Sequence, residues 1–401
     1  MMNMTEKAVE TQQQFKIPEG FLLGAAASAH QVEGNNMNSD WWYWEKQGKL
    51  PKSGNACDHY NRYEEDFQIA KNIGLNAFRI SIEWARIEPV ENQWDKTAIE
   101  HYRKVLKKMK ELGLVRMVTL HHFTLPQWLA EKGGFETNKG VQAFARYAWF
   151  VAQNLGDEMD LICTINEPEV YTVGGYGTGK WPPFKKNYFK VIQVYRNLVK
   201  AHIAAYKAIK EVRPNSQIGL AKNNNYYETN NKFNPLEKLV AGIAKYFGND
   251  WFMNRVSRYQ DWVGLNYYFT KTIKIGLSGV GLANSPARPK SDMGWQTFPE
   301  AIYHLLLDLK KYNKPIYITE NGIANARDDM RKDFIKQHLY WTMKARNEGA
   351  DVKGYFYWSL TDNYEWQDGF DRLFGLVEIN YETQERKVRP SAEVFKEILN
   401  A

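Results

Sequence analysis

Residues 161–168 read Leu161-Ile162-Cys163-Thr164-Ile165-Asn166-Glu167-Pro168. A short apolar run without polar alternation is the pattern of a strand covered on both faces, as parallel strands are. Pro168 breaks the run and leaves Glu167 as a lone carboxylate at the break. A second run has the same form: Ile316-Tyr317-Ile318-Thr319 leads into Glu320-Asn321-Gly322. Each places one glutamate beside an asparagine where an apolar strand turns.

Six further apolar runs, Phe21–Ala25, Ala77–Ile82, Arg116–Leu120, Ile218–Ala221, Trp262–Tyr267 and Tyr355–Trp358, make eight strand candidates. Helical patterns lie between them. Ile99, Tyr102, Leu106, Met109 and Leu112 recur at three- and four-residue steps, with Arg103, Lys104, Lys107, Lys108 and Lys110 opposite. Phe144–Leu155, Val194–Ile209, Phe298–Leu309 and Phe334–Arg346 read similarly, and Gly113, Gly156 and Gly349 follow three of the patterns as stops. No linker or low-complexity tract divides the chain. Eight strands alternating with helices predict a single (β/α)8 barrel of the α/β class rather than a doubly wound sheet. The expected division is a frayed tail over 1–15 and the barrel over 16–401. Barrel chemistry sits past the C-terminal strand ends, and Glu167 and Glu320, on the fourth and seventh strands, fall roughly opposite each other there.

Composition narrows the function. The 401 residues are 44% hydrophobic and 25% charged, as in an ordinary globular protein. No run approaches the roughly 18 apolar residues a spanning helix needs, and the first fifteen residues lack a signal-peptide apolar stretch. A cytoplasmic protein with no membrane partner is expected. Cys57 and Cys163 are too few for a disulfide framework and lack metal-ligand spacing, and Cys163 reads as a small buried hydrophobe. The net charge of +7 comes from lysines interleaved with acids on helix faces, as in Val105–Glu111, so nucleic acid is not the expected partner. Fourteen Trp and 24 Tyr are many; their faces stack on sugar C–H faces, which points to carbohydrate.

Two facing carboxylates in an aromatic cleft suit glycosidic cleavage: one donates a proton to the leaving oxygen, and the other, ionised, attacks or stabilises an oxocarbenium-like centre. Like charges nearby disfavour double ionisation, so environment can separate their protonation.

These residues carry a resemblance. The chain resembles glycoside hydrolase family 1, the β-glucosidase/β-galactosidase family, from about Phe21 to Pro390. The motifs run in family order: Phe21-Leu22-Leu23-Gly24, Gln31-Val32-Glu33-Gly34, Phe78-Arg79-Ile80-Ser81-Ile82-Glu83-Trp84 and Thr119-Leu120-His121-His122-Phe123. Then follow Thr164-Ile165-Asn166-Glu167-Pro168, Gly264-Leu265-Asn266-Tyr267-Tyr268, Ile318-Thr319-Glu320-Asn321-Gly322, Tyr357-Trp358-Ser359-Leu360, Asp362-Asn363-Tyr364-Glu365-Trp366 and Phe374-Gly375-Leu376.

The resemblance implies a retaining exo-β-glycosidase on this barrel, foremost a β-glucosidase, with β-fucoside and β-galactoside activity alongside. Its substrates would be small β-glycosides and short β-linked oligosaccharides, with no cofactor and no metal. Glu167 would be the acid/base and Glu320 the nucleophile, with carboxyls about 5–5.5 Å apart as retention requires. Asn166 would meet the sugar 2-hydroxyl. Arg79 and Tyr268 would hold the nucleophile, the cation favouring its ionised form. Gln31, His122, Glu365 and Trp366 would hold the other hydroxyls of the terminal sugar over Trp358 as a stacking floor. Asn266 and Phe374 support the set.

Three features need separate reading. His121 and His122 are adjacent on an extended segment and point to opposite faces, so they are not a metal pair. Gly174-Gly175-Tyr176-Gly177-Thr178-Gly179-Lys180 has phosphate-loop spacing, but Trp181 replaces the magnesium-binding hydroxyl and Pro182-Pro183 blocks the following helix. It corresponds to the family's glycine-rich loop after the acid/base. Finally, Gly276–Pro299 is trimmed, and His121 and Phe123 stand where many relatives have Tyr and Trp, so aglycone and fine sugar selectivity transfer least. The rivals are a 6-phospho-β-glycosidase, which exchanges the glutamate at the position of Glu365 for serine, a non-catalytic sugar-binding barrel, and a glycosyl-transferring enzyme.

Overall fold

All eight apolar runs form strands: β1 (Leu22–Ala26), β2 (Ala77–Ser81), β3 (Val115–His121), β4 (Leu161–Asn166), β5 (Gln217–Asn223), β6 (Val263–Asn266), β7 (Ile316–Asn321) and β8 (Val352–Trp358). They come from a computed structural model, which describes residues 15–276 and 279–400. Each strand pairs in parallel with the next, and β8 closes on β1, giving the (β/α)8 barrel. Of the tail expected over 1–15, residues 1–14 lie outside the described residues; the Phe15 ring packs edge-on against Tyr340 at 6.5 Å.

The period-two rule divides each strand between two apolar layers. Phe78, Ile80, Val118, Ile162 and Ile218 face outward and pack with Leu106, Phe144 and Leu198 of the surrounding helices. Ala77, Met117, Leu161, Cys163, Ala221 and Phe356 form a second cluster inside the barrel. Arg79 stands in register with Met117, so its side chain also enters the interior.

The helices follow the predicted apolar stripes. Lys96–Glu111 buries Ala98, Ile99, Tyr102, Val105, Leu106 and Met109, and the Asp95 carboxylate accepts from the Thr97 and Ala98 N–H groups at its start. Gly113 and Gly349 sit at φ +69° and +88°, the left-handed stop a glycine permits. Gly156 is different: it is right-handed, and a Cβ there would lie 2.8 Å from the Arg213 side chain. Close packing, not turn geometry, calls for that glycine.

The connections hold elements the periodicity did not disclose. Helices Asp40–Lys46 and His59–Asn72 lie between β1 and β2. A sheet of Tyr226–Thr229, Thr270–Gly276 and Gly279–Ala283, with helix Pro235–Lys245, lies around β6. Among the described residues, no helix is long and apolar enough to cross a membrane.

Candidate active site

β4 and β7, which carry the two glutamates, are irregular at their ends. Register shifts occur between Cys163 and Asn166 against β5 and between Ile318 and Glu320 against β6. Such bulges re-aim side chains at strand ends. Glu167 itself is left-handed, φ +43°, and its N–H donates to the Ala221 carbonyl at 2.8 Å. Phe123 and Trp366, also left-handed at φ +75° and +52°, close the same mouth. Non-glycine residues take this conformation at a cost that surrounding packing must sustain.

Glu320 is buried and doubly held. Arg79 Nη1 donates to its Oε1 at 2.5 Å and Tyr268 Oη to its Oε2 at 2.5 Å. Arg79 is itself fixed, donating to the Thr119 hydroxyl, the Thr319 carbonyl and Asn166 Oδ1. Burial and the neighbouring Glu320 charge hold the Tyr268 phenol well above its usual range, so it remains a donor.

Glu167 has the opposite environment. Burial first, then the negative charges of Glu320 and Glu169, push its carboxyl well above the usual range. Among the described residues, its one direct side-chain donor is Asn266, Nδ2 to Oε1 at 2.9 Å. The same amide donates to Asn166 Oδ1 at 3.1 Å, and the Asn266 oxygen accepts from the Thr319 hydroxyl at 2.6 Å. Asn166 Nδ2 lies 3.1 Å from His122 Nε2. Burial and the Arg79 charge keep His122 neutral, so Nε2 accepts and Nδ1 carries a hydrogen with no partner among the described residues. Arg79, Asn166 and Asn266 thus chain the two carboxyls into one network.

A third group of polar side chains borders it. Gln31 donates to Glu365 Oε2 at 3.2 Å and to Asn363 Oδ1 at 3.0 Å, and its own oxygen accepts from Ser28. Burial, then the charges of Glu320 and Asp368, raises the Glu365 carboxyl to about 8. The connection carrying Asn363 and Glu365 is anchored by a bidentate pair in which Arg389 donates to Asp362 at 2.7 and 2.9 Å. The His122 ring stacks between Trp358 at 5.9 Å and Trp366 at 6.2 Å. His121 turns the other way, into Phe135, Phe144 and Tyr171, with neither nitrogen partnered.

Aromatic rings wall the other side. Tyr268 and Phe374 are 6.3 Å apart, and Trp295 packs on both and on Phe269. Trp181 leans on Phe123, Trp366 and Trp41. The structure therefore brings Gln31, Arg79, His122, Asn166, Glu167, Asn266, Tyr268, Glu320, Trp358, Glu365, Trp366 and Phe374 to one barrel mouth.

The Glycosyl hydrolase family 1 profile matches residues 12–261 and 253–401. The chain belongs to this family. Membership makes it a glycoside hydrolase. It is 32% identical to β-glucosidase A of Thermotoga maritima, covering 96% of this chain and 98% of that protein. It is 31% identical to a β-galactosidase of Pyrococcus woesei over 95% and 96% of the two chains. Among solved structures, the β-glycosidase from Pyrococcus horikoshii superposes with a TM-score of 0.90 at 38% identity, covering 96% of this chain and 95% of that one. The Thermotoga maritima β-glucosidase in complex with glucoimidazole gives a TM-score of 0.90 at 30% identity, covering 96% and 99%.

Some of this family site escaped sequence reasoning. Asn363, Trp295 and Trp181 were not singled out as site residues; aromatic richness was the one signal for the two tryptophans. Helix Pro168–Thr172 runs straight into a wide turn over Val173–Thr178, which delivers Trp181 to the mouth. Among the described residues, no group of three or more His, Cys, Asp and Glu is arranged to hold a metal ion.

Proposed function

We propose that the chain is an exo-acting retaining β-glycosidase, foremost a β-glucosidase, in which Glu320 is the nucleophile and Glu167 the acid/base. The supporting observation is the unequal environment of two carboxyls in one network. A guanidinium and a phenol hold Glu320, whereas Glu167 is buried among negative charges that favour its protonated form.

In the first step Glu320 attacks the anomeric carbon and forms an ester. The bond to the leaving oxygen breaks as that oxygen takes the Glu167 proton, and the aglycone departs as an alcohol. In the second step Glu167, now a carboxylate, takes a proton from water, whose oxygen displaces Glu320 and restores the β configuration. Asn166 would contact the 2-hydroxyl. Gln31, His122, Glu365 and Trp366 would hold the remaining hydroxyls over Trp358; protonated Glu365 can both donate and accept. Arg79, Tyr268 and Asn266 position the carboxyls, and Phe374 supports the aromatic wall.

The curated relatives act on glucosides and galactosides by name, so β-glucosides, β-galactosides, β-fucosides and short β-linked oligosaccharides are the proposed substrates. Glu365 stands where a 6-phospho-β-glycosidase exchanges glutamate for serine, and the nearby Asp368 would repel a phosphorylated sugar, which disfavours that reading. The described chain would act as one catalytic domain. Cys57 and Cys163 are buried free thiols, which suit the reducing cytoplasm.

The test is turnover of nitrophenyl β-glucoside. Glu320→Ala should lose roughly four to six orders of magnitude. Glu167→Ala should turn over slowly and be rescued by azide, giving the β-glycosyl azide. Undiminished turnover in Glu320→Ala, or an α-linked azide, would refute the assignment.

A further inference from the structure

The rim of the barrel beside the site departs from an ordinary solvated surface. Most of the exposed large apolar side chains lie in the connections that follow three neighbouring strands, β4, β5 and β6. Phe189 is 85% exposed, Phe233 79%, Leu239 60% and Phe247 59%. Helix Pro235–Lys245 is inverted relative to a normal surface helix: Leu236, Leu239 and Ile243 form a stripe toward solvent, while Glu237 and Ala241 are buried. Single exposed apolar residues are ordinary, but Leu236, Leu239 and Ile243 share one face of a helix, and such a continuous stripe marks an interaction surface.

Charge selects the kind of partner. Residues 173–192, 230–249 and 270–283 contain nine lysines and one acid. That acid, Glu237, is 2% exposed, and its carboxylate accepts from the N–H groups of Asn231 and Ile275. Lys180, Lys186, Lys232, Lys238 and Lys274 are exposed. None of the five has an acidic partner among the described residues. Lys232 reaches back over the Phe233 ring at 5.1 Å. An apolar stripe bordered by unpaired lysines and cleared of exposed acids is the pattern of a helix that lies in a lipid interface. A protein partner would need acids in fixed positions, whereas a fluid anionic surface needs none.

We propose that helix Pro235–Lys245 and the flanking connections dock this protein, peripherally and reversibly, on an anionic lipid surface. This departs from the expectation of no membrane partner, while requiring no spanning segment. It does not depend on the roles assigned to Glu167 and Glu320.

The experiment is co-sedimentation of the full chain with vesicles of phosphatidylcholine mixed with phosphatidylglycerol, and with vesicles of phosphatidylcholine alone. The wild type should pellet with the mixed vesicles, stay in solution with phosphatidylcholine alone, and be released by salt. Leu239→Ser/Ile243→Ser and, separately, Lys232→Ser/Lys238→Ser should each reduce the bound fraction by about fivefold or more. Both should leave turnover of nitrophenyl β-glucoside unchanged, which shows that they fold. A wild type that stays in solution with both vesicles, variants that bind as well as it does, or a patch consumed in a dimer that the first variant dissociates would each overturn the proposal.

Discussion

Asn266 shows how much one neutral side chain can set. Its amide serves Glu167 and Asn166 at once, and its oxygen is fixed by Thr319. A hydrogen bond to a carboxylate favours the charged form, so Asn266 restrains an acid that burial drives upward. In the proposed mechanism the proton-donating step requires protonated Glu167, so activity should fall as pH rises through its pKa. Removing the restraint therefore moves that limb to higher pH. In Asn266→Ala the basic limb of kcat/KM should rise by about half to one pH unit, with a lower maximum; a limb displaced to lower pH would contradict the network. Asn266 lay in a recognised motif, but its bond to Glu167 was not legible. The contact joins residues 99 positions apart, and local sequence holds no sign of such a partner.

At the scale of the element, the strand ends do the positioning. β7 must turn sharply after Glu320, and Gly322 makes this possible: a Cβ there would stand 1.9 Å from the Trp358 carbonyl at the end of β8. Gly322→Ala should cost about 1–3 kcal/mol as the two strand ends separate, and turnover should fall because Glu320 and Trp358 move with them. Thermal unfolding and turnover measured together check this; an unchanged unfolding temperature would show that the approach is looser. The eight strands were legible because burial on both faces leaves only apolar residues to choose from, so Leu161–Ile165 and Ile316–Thr319 stand out from their polar surroundings. The connections were not. Trp295 follows a tight turn in which Ser291 N–H donates to its carbonyl, with no periodicity to announce it. Helix Pro235–Lys245 has a clear stripe, but the stripe faces outward, against the rule by which amphipathic helices are read.

For the whole molecule, buried acids set the response to pH. Burial raises Glu365 to about 8 and Asp40 to about 7, and it lifts Glu83 and Glu167 as well. The folded state keeps protons that the unfolded chain releases near 4, so stability from these groups is full in acid and declines as pH rises toward 8. Asp66 and Glu45 are held low by hydrogen bonds and the His59 and His30 charges, and they lose their contribution only in stronger acid. Burial also holds His101, His121, His122, His202 and His338 neutral, which opposes this trend below about pH 6.5. Above it, the folded state should be more stable, with a higher unfolding temperature, near pH 7 than near pH 9, and Glu365→Gln should narrow that difference by about 1 kcal/mol. A flat profile in wild type would contradict the buried acids. In the proposed mechanism the barrel brings β4 and β7 together so that one glutamate holds the sugar while the other moves the proton. Incubation with a 2-deoxy-2-fluoro β-glucoside carrying a good leaving group, followed by peptide mass mapping, tests this most directly: the account predicts one glycosyl ester, on Glu320, whereas an unlabelled protein or an ester on any other residue would contradict it.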